Sequence, residues 1–330
     1  MRILVLGGTA FLSAEIARQA VAAGHEVTCL ARGTSAQAPD GVAWVRADRA
    51  LGSAVFDGLA GRRWDEVVEV SRDPVQARVA LQALGADAGH WTFVSSCSVY
   101  ADHSVPGAAE DSALLKPLPE DQAGTPETYS ESKSAIERMT RDLVGEKAHV
   151  VRSGLIGGPG DASDRYGYWP ARCAQGAERP VLVPDIAGDP TQIIDVRDLA
   201  FWVIDAAVRG LAGSFNALGD VVPFGDYLEA CLRLAEDRPH VVTAPEEWLA
   251  DQGVGYWSGH DSLPLWLPPG HEGFQARSND AAREQGMVLR PWRETLRDTL
   301  ADERLRGLGR DRKAGLSPGT EKRLVALMPA

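Results

Sequence analysis

Cysteine is scarce in this 330-residue chain, and no apolar run is long enough to cross a bilayer. The four cysteines stand at no metal-ligand spacing, and the seven histidines form no His-x-x-x-His pair. Neither a disulfide-stapled small fold nor a bound metal is therefore expected. A membrane-spanning helix needs roughly 20 apolar residues, so no membrane association is expected. The amino terminus has no signal-peptide pattern, which predicts a reducing, cytoplasmic location.

Positive charge is also in deficit, with 34 Lys and Arg against 46 Asp and Glu and a net charge of -12. A chain of that charge repels phosphate backbones, so nucleic acid is not an expected partner. One segment, residues 302–323, has a basic excess. A solvated C-terminal helix is favoured there over a surface for an anionic partner.

Short apolar runs alternate with helical patterns over the first 150 residues. The predicted strands are 3–6, 26–31, 42–45, 66–70, 91–95 and 149–152. A helix is predicted over residues 12–23, before Gly24. Strands that alternate with helices form right-handed βαβ units. The predicted fold class is α/β, a Rossmann-type doubly wound parallel sheet.

The amino-acid composition and the pattern of predicted elements change after the sixth predicted strand. Residues 154–190 are rich in Gly, Pro and aromatics, whereas 193–218 return to a strand–helix–strand pattern that is expected to rejoin the sheet. A dinucleotide-binding Rossmann domain is predicted over 1–153 and about 191–219. A smaller, discontinuous C-terminal substrate-binding region is predicted over about 154–190 and 220–330.

The stretch GGTAFLS, residues 7–13, links the first predicted strand to the first predicted helix. A dinucleotide needs a tight turn there, a close backbone and free N–H groups at a helix amino end. Ala10 and Ser13 stand where such loops usually have glycine, but both are small. The predicted cofactor-binding residues of this loop are Gly7, Thr9, Ala10, Phe11 and Leu12. An ordinary βα turn is the alternative.

The end of the second predicted strand bears on the choice of cofactor. Folds that prefer NAD usually place an acid here for the ribose 2′-OH, whereas this chain has Arg32. A guanidinium can grip a 2′-phosphate, so NADP(H) is favoured over NAD(H) as cofactor. A surface arginine is the alternative. Asp48 is placed to accept a hydrogen bond from the adenine amino group, or else lies in a solvated loop.

One serine, one tyrosine and one lysine follow each other along the chain in the order of a candidate catalytic set. The fifth predicted strand ends in SSCSVY at 95–100, and YSESK at 129–133 opens a helical stretch. Tyr129 and Lys133 share one helix face at spacing i, i+4. An unassisted phenol is a poor acid and base, and a nearby ammonium favours its ionised form. We therefore predict catalysis by Tyr129 and Lys133, with Ser96 orienting the substrate oxygen. Tyr129 and Lys133 are also assigned to the cofactor-binding set, where Lys133 can reach the nicotinamide ribose hydroxyls.

Together these motifs resemble the extended short-chain dehydrogenases/reductases of the NAD-dependent epimerase/dehydratase superfamily. Further matches are VVRSGLIGGPGD at 150–161 and IIDVRDLA at 193–200. The resemblance implies a Rossmann fold, a nicotinamide cofactor and a Ser-Tyr-Lys set, here Ser96, Tyr129 and Lys133. It also implies a homodimer through a four-helix bundle. The combination of GGTAFLS and CLARG resembles a bacterial isoflavone-reductase-like branch of reductases.

The chain departs from the family pattern at two strand ends. After the fourth strand the family has small residues, whereas this chain has Val70-Ser71-Arg72. Ser71 is assigned to the cofactor-binding set, and Arg72 is expected in solvent, with a cofactor phosphate as the alternative. Cys97 and Ser98 replace the Asp-Glu pair of sugar-nucleotide dehydratases. Since a thiol and a hydroxyl are poor substitutes for two carboxylates, dehydration is disfavoured.

The predicted function is NADP(H)-dependent reduction of a carbonyl of a small molecule, with Tyr129 as the proton donor. An NAD-dependent nucleotide-sugar epimerase and a non-catalytic NAD(P)-sensing protein are the alternatives. Aromatic side chains after the sixth strand either stack on the substrate or anchor the C-terminal region to the core. They are Tyr166, Tyr168 and Trp169.

Overall fold

The computed structural model describes residues 1–34, 36–119 and 121–328. The strands are β1 Arg2–Leu6, β2 Glu26–Ala31, β3 Ala43–Arg46, β4 Glu66–Glu69, β5 Trp91–Ser96, β6 Ala148–Ser153, β7 Leu155–Gly157, β8 Val181–Pro184, β9 Pro190–Asp195, β10 Gly213–Ala217, β11 Val221–Pro223, β12 Val241–Ala244, β13 Gly255–Tyr256 and β14 Ser262–Leu263. The helices are α1 Phe11–Ala22, α2 Pro74–Leu84, α3 Tyr129–Val144, α4 Arg165–Cys173, α5 Val196–Arg209, α6 Phe224–Leu234, α7 Glu246–Asp251, α8 Asp280–Glu284, α9 Trp292–Arg306 and α10 Pro318–Leu327.

Seven parallel strands form the main sheet, in the order β3-β2-β1-β4-β5-β6-β10. The direction of the chain across the sheet reverses between β1 and β4, and ligands of such sheets bind at the carboxyl ends of the strands beside that point. The predicted α/β fold class and the six predicted strands are confirmed, with ends that differ by one or two residues.

Apolar strands and one-sided helices produce this layered structure. Most residues of the central strands are buried, as expected of a parallel sheet covered on both faces. α1 buries Leu12, Ile16 and Ala20, which recur every four residues and so lie on one side of the helix. These side chains share a buried cluster with residues of β1 and α5. A second cluster joins α2 and α3 to the opposite face.

One predicted strand does not return to the main sheet. β9 pairs with β7 and β11 in a separate three-stranded sheet, and only β10 rejoins the seven parallel strands. The reason lies in partners of β9 that are distant in sequence. The buried Thr191 hydroxyl donates to the Val222 carbonyl at 2.8 Å, and the Gln192 amide donates to Gly219 and Arg277 carbonyls. The division into two domains stays a prediction.

The aromatic residues after β6 belong to a buried core. Tyr166, Tyr168 and Trp169 are at most 2% exposed and share one cluster with Trp266. Of the two alternatives for these rings, the structure supports anchoring of the C-terminal region rather than stacking on a substrate. Within the described residues, no helix is both long and apolar enough to cross a membrane.

The basic segment near the C-terminus is folded into an ion-pair cluster, so the expectation of one solvated helix is wrong. α9 ends at Arg306, and a loop precedes α10. Arg306 and Arg310 pair with Asp164 and Glu303, whose side chains are almost fully buried. Burial alone would raise the pKa of Asp164, but the hydrogen bonds from Arg310 and the Lys313 amide outweigh it and lower that pKa. The cluster holds the residue that precedes α4.

Candidate active site

The loop between β1 and α1 lies tightly against the neighbouring strand. Gly7 and Gly8 have φ values of +140° and +98°, which glycine adopts without steric cost. A Cβ atom on Gly8 would overlap the side chain of Cys29 in β2. Glycine at position 8 therefore lets the backbone turn directly above the carboxyl end of the sheet.

The amino end of α1 meets the requirements of a pyrophosphate site. Ala10 precedes the helix, no side chain caps it, and its first turn contains no acid. The N–H groups there are thus available to an anion, which the helix dipole also favours. Ser13 turns its hydroxyl back to the Ala10 carbonyl at 2.8 Å. The predicted loop residues fit a dinucleotide: Thr9 and Leu12 are buried supports, and Phe11 is partly buried.

Arg32 lies at the end of β2, where the ribose of a dinucleotide is expected. Its side chain is 61% exposed and stands 4.0 Å from the Asp48 carboxylate. Asp48 also accepts the Ala50 amide at 3.0 Å and so caps a short 3₁₀ turn. Arg46 at the end of β3 is not among the predicted residues, and its Nε donates to the Arg32 carbonyl at 3.2 Å. Its position at the end of the neighbouring strand is the signal that could have revealed it.

Lys133 is the most constrained of the predicted catalytic side chains. Its Nζ donates to the Ser71 carbonyl at 2.8 Å and to the Val94 carbonyl at 2.7 Å. An ammonium carries three protons, so one remains for a cofactor ribose or for Tyr129. Burial lowers the pKa of Lys133 to about 7; Glu69 and Glu137 oppose that fall, and Arg72 adds to it.

Lys133→Met should flatten the dependence of stability on pH. The pKa of Lys133 is about 7 in the folded chain, whereas an unperturbed lysine has a pKa near 10.4. Between these values the unfolded chain binds more protons, so wild-type stability rises with pH by at most about 1.4 kcal/mol per unit. The free-energy cost of burying the charged Lys133 side chain reduces stability in full below about pH 7 and disappears above about pH 10.5. Urea unfolding at pH 7, 8 and 9 measures it.

The exposed Lys322→Met is the control, and it should keep the wild-type slope. Parallel curves for Lys133→Met and the wild type would show that Lys133 titrates normally in the folded protein.

Buried support for Lys133 comes from a residue that sequence reasoning missed. Glu69, at the end of β4, is 0% exposed and accepts both the Ser71 amide and the Arg49 guanidinium at 2.8 Å. Glu69 thereby orients the backbone of Ser71, whose carbonyl accepts a hydrogen bond from Lys133. An acid inside the apolar run EVVEV was the available signal, because a buried carboxylate needs partners.

Ser96 ends β5 and presents its hydroxyl as a donor. Its Oγ accepts the Ser98 amide at 3.2 Å and the Ser98 hydroxyl at 3.0 Å. A hydroxyl has two acceptor positions and one proton, so its own proton is left for a substrate oxygen. The neighbouring Cys97 is 0% exposed, and burial raises the pKa of its thiol to about 12. The buried Cys97 thiol is therefore poorly suited to proton transfer at neutral pH.

Tyr129 begins α3 and is partly buried. The Lys133 ammonium lies 6.0 Å from the centre of its ring, and the Arg72 guanidinium lies 5.8 Å from it. Arg72 is exposed, as expected, yet it lies against Tyr129 rather than pointing away. Arg165 at the start of α4 interacts electrostatically with Tyr129 as well.

The structure thus groups the predicted residues at the carboxyl edge of the sheet. Ser71, Lys133 and Tyr129 form one connected set, Ser96 ends the adjoining strand, and the glycine loop leads into α1. Arg32 and Asp48 lie at the ends of β2 and β3. No group of three or more potential metal-ligating side chains occurs in the part of the chain that the structure describes. The catalytic and binding roles of these residues stay predictions.

The parallel sheet with this strand order is a Rossmann fold, and comparison with known proteins agrees on the fold. No model of a known protein family matches the sequence. The chain is 27% identical over 270 residues to the 2′-dehydrokanamycin reductase of Streptomyces kanamyceticus, covering 76% of this chain and 72% of that enzyme.

Solved structures show the same fold. UDP-N-acetylglucosamine 4-epimerase from Bacillus cereus has a TM-score of 0.65 and 15% identity, covering 93% of this chain and all of that one. UDP-glucose 4-epimerase from Thermus thermophilus, solved with NAD, has a TM-score of 0.62 and 21% identity, covering 92% and 99% of the two chains. The solved structures show that this chain shares their fold, and the reductase is a relative that the sequence resembles. The isoflavone-reductase-like branch stays a prediction.

Proposed function

We propose that this protein is an NADP(H)-dependent reductase that converts a carbonyl of a small molecule into an alcohol. The observation that carries the proposal is the donor set at the sheet edge. Ser96 has its acceptor positions filled and one proton to give, and Lys133 is fixed by two carbonyls beside Tyr129. The similarity to a reductase over 76% of the chain supports the reducing direction.

Each of these side chains has a distinct part in the proposed reaction. A bound nicotinamide would supply the hydride that reaches the carbonyl carbon. Tyr129 donates the proton from its hydroxyl to the carbonyl oxygen as charge develops there. Ser96 donates a hydrogen bond to the same oxygen and orients it. Lys133 places positive charge beside Tyr129, which stabilises the ionised phenol that remains.

Epimerisation of a nucleotide sugar with retained NAD is the second candidate. It is favoured by the fold shared with two UDP-sugar 4-epimerases. Tyr129 could take the hydroxyl proton of an alcohol while a bound NAD would take the hydride from its carbon, and both would then be returned, the hydride to the other face of the carbonyl. NAD that remains bound through purification would favour this candidate over the reductase.

Arg32→Gln should weaken NADPH binding by about tenfold and change NADH binding by less than about twofold. Arg32 is exposed and only loosely paired with Asp48, so its guanidinium is available to a 2′-phosphate. Only NADP(H) carries that phosphate. Titrations followed by tryptophan fluorescence measure both dissociation constants for the wild type and the variant.

Arg62→Gln is the matched control, since Arg62 is also an exposed arginine but precedes β4, at the amino edge of the sheet. It should leave both dissociation constants unchanged. A wild type that prefers NADH, or an Arg32 variant that loses both cofactors equally, would contradict the choice of NADP(H).

A further inference from the structure

Two arginines from different parts of the chain interact with Tyr129, Arg72 by contact with its ring and Arg165 electrostatically. Arg72 follows β4, and its guanidinium lies 5.8 Å from the centre of the Tyr129 ring. Arg165 begins α4 and interacts electrostatically with both Tyr129 and Arg72. We propose that Arg72 and Arg165 bind an anionic group of the substrate, a carboxylate or a phosphate, and so select anionic carbonyl compounds. This inference rests on the proposed function.

Neither arginine of this pair is held in a close ion pair with a described residue. Among the described residues, neither guanidinium lies within 4.0 Å of a carboxylate, and the side-chain partner of Arg165 is the Ser163 hydroxyl at 3.3 Å. Asp161 is the neighbouring acid, but its two oxygens are occupied by the amide and hydroxyl of Ser163 at 2.7 and 3.0 Å. Burial lowers the pKa of Arg165, and Asp161 opposes that effect. A partly buried, unpaired cation favours an anionic ligand.

Arg165 is held in place from two sides. The preceding residue, Asp164, is bound by Arg310 and by the Lys313 amide, and its backbone is left-handed with a φ of +63°. The guanidinium also lies 4.9 Å from the centre of the Trp257 ring. Trp257 itself has a φ of +66°, which is unusual for a bulky residue. An ordered cation loses little freedom on binding, so it can discriminate between ligands.

The position of the pair favours the substrate over the cofactor. The cofactor phosphates are expected at the amino end of α1 and at Arg32, whereas Tyr129 is where the reacting carbonyl is expected. Because Arg72 and Arg165 interact with Tyr129, they are expected to contact the substrate near its carbonyl group. A cofactor phosphate on Arg72 is the rival assignment, and the experiment below separates the two.

The test uses a matched pair of probes, 4-carboxybenzaldehyde and its neutral methyl ester. With the wild type and NADPH, kcat/KM should be at least about tenfold higher for the carboxylate. Arg165→Gln and Arg72→Gln should each lower the ratio of kcat/KM for the carboxylate to kcat/KM for the ester by about tenfold, mainly through a higher KM for the carboxylate. Arg233→Gln, at an exposed arginine on α6, is the control and should change neither.

Equal kcat/KM values for the two probes in the wild type would overturn the proposal. An Arg72→Gln variant that keeps the charge preference but binds NADPH more weakly would assign Arg72 to the cofactor and overturn the two-arginine site. Binding is tested separately by fluorescence titration of 4-(hydroxymethyl)benzoate. If neither probe is reduced, binding to the wild type but not to Arg165→Gln would keep the anion site and overturn the reductase. Absence of that binding in the wild type would overturn the anion site.

Discussion

Tyr129→Phe should lower kcat for carbonyl reduction by roughly 10²- to 10⁴-fold, the usual contribution of a positioned proton donor. The substitution removes only the hydroxyl that protonates the carbonyl oxygen. Lys133 remains bound to the Ser71 and Val94 carbonyls, and the glycine loop is unaffected. The dissociation constant of the cofactor should therefore stay within about twofold of the wild type.

Single-turnover rates with saturating cofactor measure this effect on the chemical step. Tyr256→Phe is the matched control, because it removes a hydroxyl from a partly buried tyrosine that packs on Trp266. The control should retain wild-type turnover. If Tyr129→Phe also retains it, another group donates the proton and the proposed mechanism is wrong.

Glu137→Ala should destabilise the protein by about 3–5 kcal/mol, the cost of leaving a buried charge without its partner. Glu137 lies on α3, and its carboxylate accepts from the Arg152 guanidinium at 2.9 Å and from the Ser95 hydroxyl at 2.6 Å. Arg152 is only 3% exposed, so water cannot replace the lost carboxylate. Its remaining polar partners include the Tyr100 hydroxyl and the Glu110 carbonyl, which carry no compensating charge.

Chemical unfolding at pH 7 provides the measurement. Asp142→Asn, an exposed change on the same helix, serves as the control and should alter stability by less than about 0.5 kcal/mol. Because Ser95 adjoins Ser96, the Glu137 variant should also lose reductase activity at temperatures where it is still mostly folded. A loss of stability below about 1 kcal/mol would show that the pocket around Arg152 admits water or rearranges.

The framework of the fold could be predicted from local patterns. Apolar runs separated by helical periodicity located β1 to β6, since the pattern that predicts each strand or helix lies within about ten residues. The glycine loop and the Tyr129–Lys133 pair were also local features, because the residues within each of them are only a few positions apart. The structure places Ser71, Tyr129 and Lys133 together because β4, β5 and α3 are neighbours in this strand order.

The remainder depended on contacts between distant residues. The apolar residues of β9 were compatible with either sheet, and buried hydrogen bonds to Val222 and Arg277 decided between them. Likewise, the basic C-terminal segment had the charge pattern of a solvated helix, yet Arg310 pairs with Asp164, 146 residues earlier in the chain.

By itself, the sequence determined the Rossmann-type core, the glycine loop before the first helix and the order of Ser96, Tyr129 and Lys133. Only the tertiary structure decided that Glu69 supports Lys133, that Arg72 packs on Tyr129 and that Arg165 interacts electrostatically with it. The physical reason is that backbone preference and apolar periodicity act over a few residues. The energy of a charged side chain depends instead on the burial and partners that distant segments provide.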